Sequence, residues 1–172
     1  MKIKILSLII MLLGSSLLSA QSKNTVITDG KLHKDVLVGF CDRNGLKWGL
    51  FGKYFVTQYD AYKPSRKIID KIKDKIDKTK IVIIFGSWCS DSKIQVPRFY
   101  KILDKSGYNE NDVTLIAVDR AKRAMTTDIA KYEVTRIPLF IIYQDGKELG
   151  RIVESPKKTL EKDLYKILKK AH

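Results

Sequence analysis

The chain has 172 residues, with 33 Lys and Arg against 19 Asp and Glu, a formal net charge of +14 and 44% hydrophobic residues. That length suits one domain with a sizeable core plus an extra element, and nothing in it suggests two domains. The positive charge favours anionic surfaces or acidic partners without naming one. Its lysines spread through Lys63 to Lys80, Lys93 to Lys105 and Lys157 to Lys170 without interleaved aromatic or Arg clusters, which reads as solvated surface and argues against nucleic-acid readout.

In chain order, Lys2 and Lys4 precede an apolar run from Ile5 to Leu13, then small residues to Ala20. This pattern predicts a secretory signal peptide over residues 1–20, cleaved after Ala20, leaving a net charge of about +12. The run is shorter than the roughly 20 residues of a spanning helix, so no transmembrane segment is expected after cleavage, and the location follows as periplasmic or secreted. Two cysteines, Cys41 and Cys89, are then exported from the reducing cytosol. Either they pair or at least one is chemically active.

Residues 21–34 read as a polar leader with at most one short strand. Val36 to Val38 suggests a strand, and Leu46 to Tyr62 suggests a helix, although Gly45, Gly49 and Gly52 weaken it. Ser65 stands where an N-cap belongs, ahead of an amphipathic helix carrying Ile68, Ile69, Ile72 and Ile76, with Asp74 and Lys78 spaced for an i,i+4 pair. The β-branched run Ile81 to Phe85 has the form of a strand buried on both faces. A helix kinked by Pro97 follows, then a strand from Val113 to Val118, a short helix from Met125 to Tyr132, and a hairpin of Leu139 to Tyr143 with Glu148 to Val153 turning at Asp145-Gly146. Ser155 and Pro156 are expected to open the last helix, with Leu160, Leu164, Ile167 and Leu168 as its core stripe. Alternation followed by a hairpin implies an α/β fold: a mixed central sheet with helices on both faces.

Cys89 falls between the strand and the following helix, where unpaired helix amides favour the thiolate that acts in disulfide exchange. The bland alternative is a small buried hydrophobe. Ser92, three residues on, can face the sulfur across one turn and donate a hydrogen bond, but cannot form a disulfide. Asp91 between them opposes a thiolate nearby and suits the helix dipole.

The segment Phe85-Gly86-Ser87-Trp88-Cys89-Ser90-Asp91-Ser92-Lys93 resembles the active-site segment of the thioredoxin superfamily. Pro97, Val118-Asp119, Thr135-Arg136-Ile137-Pro138 and Asp145-Gly146 match further landmarks in the right order, so the resemblance spans about Val82 to Leu168. It implies a thioredoxin-like core over residues 81–172 and does not explain the leader and helical extension over 21–80, which contain Cys41. It also implies a cis peptide before Pro138, a Pro138 that faces Cys89, and an Ile137 whose backbone binds an extended substrate segment. Trp88 would shield one side of the site, or serve as a plain core aromatic. Two departures stand out: Ser92 replaces the second cysteine, and Ile83 occupies the position of a buried acid.

These features point to one-thiol exchange through Cys89, with Cys41 either the resolving thiol or a free, partly buried one. The alternative is a non-catalytic module that binds extended or unfolded envelope proteins in the Ile137-Pro138 groove. The expected partners are protein thiols or disulfides of the cell envelope. His33 and His172 lie outside ligand spacing, so no metal and no other cofactor is expected. Asp119 and Arg120 either line the site or form a surface ion pair.

Overall fold

The computed structural model describes residues 23–31, 33–125 and 127–171, and the expected signal peptide lies outside them. The described elements are β1 (Thr25–Asp29), β2 (Lys34–Cys41), α1 (Arg43–Leu46), α2 (Gly49–Ala61), α3 (Arg66–Ile76), β3 (Thr79–Phe85), α4 (Ser90–Ser106), β4 (Val113–Ala117), β5 (Leu139–Gln144), β6 (Lys147–Val153) and α5 (Leu160–Leu168). The strands form one sheet in the order β1-β2-β4-β3-β5-β6. Only β3 and β4 run parallel; every other neighbouring pair is antiparallel.

The central position of β3 follows from its sequence, since a strand with helices or loops over both faces needs apolar side chains on both. Ile81, Ile83 and Phe85 enter the core shared with α2, α3, α4 and α5, while Val82 and Ile84 enter a second core on the opposite face. That second core is closed by Ala124, Tyr132 and Ile137 from the long β4–β5 connection, which carries a 3₁₀ helix at Ala130–Tyr132. The protein is thus a mixed sheet with helical segments on both sides. Each buried Ile of α3 (Ile69, Ile72, Ile76) contributes about 2 kcal/mol of burial, far more than the surface pairs of that helix.

Several sequence expectations need correction. The boundary at residue 80 falls inside β3, while the strand allowed within 21–34 and the one expected at Val36 to Val38 both form and join the sheet: β2 pairs with β4 and β1 pairs with β2. The polar 25–29 stretch forms a strand because an edge strand buries only alternate residues. Lys78 has φ of +63° beyond the end of α3, so the Asp74–Lys78 helix pair does not form, and Lys73 approaches Asp70 instead. No α-helix spans Met125 to Tyr132: Met125 has φ of +54°, and Ala124 bridges Thr127 in a tight reversal. The last helix starts after Thr159, not at Ser155, because Thr159 Oγ1 accepts the Lys162 amide and Glu154 has φ of +63°.

The three glycines that weaken the helix reading over Leu46 to Tyr62 have packing roles. A Cβ on Gly45 would lie 2.1 Å from Asn24 Oδ1, and one on Gly52 would lie 2.2 Å from the Lys47 carbonyl oxygen. Gly49 takes φ of +54°. Together they fold the chain sharply between α1 and α2, and the residue left at the apex is Trp48, 43% exposed.

Candidate active site

Three chain segments converge at the carboxyl end of β3. The first is the strand-to-helix loop, in which Cys89 is the N-cap residue of α4 with extended backbone angles. Its carbonyl accepts the Lys93 amide at 3.1 Å and its own amide donates to the Gly86 carbonyl at 3.0 Å, which fixes the backbone beneath the sulfur. The thiol is half-buried and sits at the N-terminal end of a long helix.

The second segment is the loop before β5. The Ile137–Pro138 peptide is cis. Cys89 Sγ donates to the Ile137 carbonyl at 3.7 Å, so the loop named from sequence does meet the thiol. The third is the end of β4, where the Val118 carbonyl accepts the Trp88 indole N–H at 2.9 Å. That bond holds Trp88 half-buried beside Cys89, against the second core.

Ser92 is fully buried, and its oxygen accepts the Gly86 amide at 3.2 Å. The hydroxyl therefore braces the end of β3 from the first turn of α4. Ile83 is enclosed in the helical-side core, so no acid stands beneath the site at that position.

Cys41 is not brought to Cys89. Both are free thiols. Cys41 is in register with Leu115, which is in register with Ile83, so two strand spacings, about 10 Å, separate it from β3. Cys89 lies beyond the far end of β3, and a disulfide needs Cα atoms within about 7 Å. Cys41 packs in the helical-side core and donates to the Gly39 carbonyl at 3.6 Å, and burial pushes its thiol up to about 12.

Two further contributors escape a sequence reading. Gly86 lets Trp88 and Ile137 close over the loop: a Cβ there would lie 2.8 Å from Ile137 Cδ1 and from Cε2 and Nε1 of Trp88. Its position directly after the strand is the only local signal. Ser87 ties the loop to β2, its Oγ accepting the Leu37 amide at 3.0 Å. Asp119 and Arg120 do not pair with each other. Asp119 accepts the Arg123 amide at 2.8 Å and Nε at 2.9 Å, while Arg120 lies over the Trp88 ring at 5.5 Å.

The family model described as thioredoxin matches residues 53–167, well over half of the chain. The chain belongs to the thioredoxin family. Among its relatives, Thioredoxin H2 of Arabidopsis thaliana is 32% identical over 92 residues, covering 53% of this chain and 64% of that protein. Thioredoxin H-type 1 of Nicotiana tabacum is 25% identical over 119 residues, covering 68% and 82%. The chain spans only 64%, 51% and 59% of the first three curated relatives it matches. The solved thioredoxin of Fasciola hepatica is 25% identical with a TM-score of 0.34, covering 49% of this chain and 75% of that one. In this thioredoxin-family chain the matched span begins within α2, so Cys41 and Trp48 lie outside it.

Among the described residues no group of three or more His, Cys, Asp or Glu is arranged to hold a metal ion. No helix among them is long and apolar enough to cross a membrane.

Proposed function

We propose that this chain is an exported, one-thiol member of the thioredoxin family that exchanges disulfides with proteins of the cell envelope through Cys89. The observation that carries the reading is the placement of Cys89: N-cap of α4, half-exposed, with its sulfur on the Ile137 carbonyl beside Pro138. Export rests on the sequence of residues 1–20.

The exchange needs no second thiol in the chain. The Cys89 thiolate attacks one sulfur of a substrate disulfide; the substrate S–S bond breaks, a Cys89–substrate S–S bond forms, and the departing thiolate takes a proton from water. An external low-molecular-weight or protein thiol then attacks the mixed disulfide and restores Cys89. With Ser92 turned onto Gly86 and Cys41 two strands away, the separation of the cysteines supports release by such a thiol over internal resolution.

Ser92 braces the loop through the Gly86 amide while contributing no redox group. The test is turnover of a protein disulfide reporter in the presence of a thiol. Cys89→Ala should abolish it, and Cys41→Ala should leave it near the parent rate. Activity that survives Cys89→Ala sinks the reading, and activity lost in a folded Cys41→Ala protein reinstates the two-cysteine couple.

A further inference from the structure

Beside the active-site loop lies a groove of about 340 Å³, lined by Lys34, Asp35 and Val36 of β2, Trp48 of the α1–α2 turn, Phe51 of α2, and Ser87, Trp88 and Lys93 around Cys89. One wall carries Trp88, the residue adjacent to the reacting sulfur. The lining also includes Trp48, an exposed indole at the apex of a turn that Gly49 and Gly52 shape. Trp48 is held there by a turn in which two glycines are sterically or conformationally required. The turn lies before the matched span, so this part of the lining belongs to the chain's own N-terminal segment.

The charge at the groove leans positive. Lys34 and Lys93 line it, and Arg120 lies over the ring of the lining Trp88 at 5.5 Å. Against these three cations stand Asp35 in the lining and, outside it in the first turn of α4, Asp91. Asp35 already accepts the Thr28 hydroxyl at 2.8 Å, and Lys93 lies over the Tyr54 ring at 5.0 Å, its amine available to an anion at the rim.

We propose that the groove between Trp48 and Trp88 selects the disulfide substrates of Cys89, taking an acidic peptide segment that presents a large apolar side chain next to the reacting cysteine. This rests on the exchange reading above and gives it a substrate class. The two indoles and Phe51 receive the apolar side chain, and the flanking carboxylates meet the lysines at the rim. Exchange then proceeds as described: the peptide disulfide is attacked by Cys89, the peptide becomes linked to Cys89, and the partner thiolate departs.

The test uses cysteine peptides carried as mixed disulfides with thionitrobenzoate, whose release is followed by absorbance. One peptide places glutamates around a Phe–Cys pair, a second replaces the glutamates by lysines, and a third replaces Phe by Ala. Each rate is divided by that of free 2-mercaptoethanol with the same probe. The glutamate–Phe probe should react about tenfold faster than its lysine counterpart, with the gap shrinking at high salt. Trp48→Ala should cut the Phe-over-Ala preference about fivefold.

Equal normalised rates for the three probes, from a protein whose Cys89 still reacts with dithiobis-nitrobenzoate, overturn the groove while leaving the exchange reading intact. If Cys89 fails to react even with that small disulfide, the exchange reading fails. The groove is then judged by binding of the serine analogue of the glutamate–Phe peptide to the parent protein, read by tryptophan emission. Binding that is weakened by Trp48→Ala supports the groove, and no binding overturns it. Trp48-dependent self-association seen by sedimentation, without peptide binding, assigns the surface to a second copy and also overturns it.

Discussion

Replacing Gly86 by Ala tests how the site is built. The added Cβ would sit 2.8 Å from Ile137 Cδ1 and from Cε2 and Nε1 of Trp88, closer than carbon atoms approach without displacement. The Ile137 terminal methyl can rotate away. The Trp88 ring cannot move freely, because its N–H is bound to the Val118 carbonyl at 2.9 Å. Overpacking of this kind costs about 1–3 kcal/mol, and weakening that hydrogen bond costs about 1 kcal/mol within that range. A net loss near 2 kcal/mol should lower Tm by about 4–8 °C in a chain of this size. The assay pairs a urea titration with thermal melts followed in the near-ultraviolet tryptophan band. A second readout is Cys89 alkylation, which should change because both neighbours of the thiol shift. A Gly86→Ala protein with parental Tm, near-ultraviolet signal and alkylation rate would refute this packing argument.

Three other outcomes follow from the same geometry. Iodoacetamide at pH 8 should label Cys89 alone in the native protein, with Cys41 labelled only after denaturation, since burial raises the Cys41 thiol to about 12; peptide mapping by mass spectrometry reads this directly. Stability should fall on acidification. Burial by itself raises the Glu161 carboxyl, but hydrogen bonds from Tyr62 and the Ser65 amide outweigh it and hold the group below its usual value; the Asp104 carboxyl is likewise raised by burial and lowered further by Arg43 and Tyr59. For carboxyls lowered in the fold, the stabilisation is complete above their unfolded values and disappears as pH drops through the folded ones, so urea midpoints should decline below about pH 4.5 and Glu161→Gln should flatten that decline. Arg43→Ala should cost about 1 kcal/mol by urea titration, because Arg43 reaches Asp104 at 2.7 and 2.9 Å, contacts Glu110 and lies over the Tyr100 ring, yet part of that pairing is exposed to solvent.

The fold was most legible where periodicity and burial agree. Ile81 to Phe85 and the isoleucines of α3 were readable because one pattern demands two buried faces and the other demands one. The hairpin was readable from Asp145-Gly146, both of which take positive φ. The failures came where tertiary contacts override local preference. The stretch from Met125 to Tyr132 has a helix-compatible composition, but Asp119 captures Arg123 and the chain reverses at Ala124 before any turn of α-helix can form. Of the two N-terminal strands, β2 was legible from Val36 to Val38, while β1 was faint because an edge strand needs few apolar residues.

The site divided in the same way. Cys89, Ile137 and Pro138 could be named because their residue types and order carry the resemblance. For Ser92 the three-residue spacing fixes a helix face but does not disclose the Gly86 amide as its partner. Cys41 had no spatial coordinate in the sequence, and only the pairing of β2 with β4 shows that it sits two strands from β3. Trp48 was read as part of a helical face; its exposure comes from the glycine-shaped turn, which the sequence displays only as helix-weakening residues.

The most direct measurement is the intact mass of the reduced native protein after brief reaction with an excess of a glutathione-type mixed disulfide. One-thiol exchange predicts a single adduct, mapped to Cys89 and removed by added thiol. A product lacking two hydrogens with Cys41 and Cys89 joined, or no adduct under conditions that modify a free peptide thiol, would contradict the account.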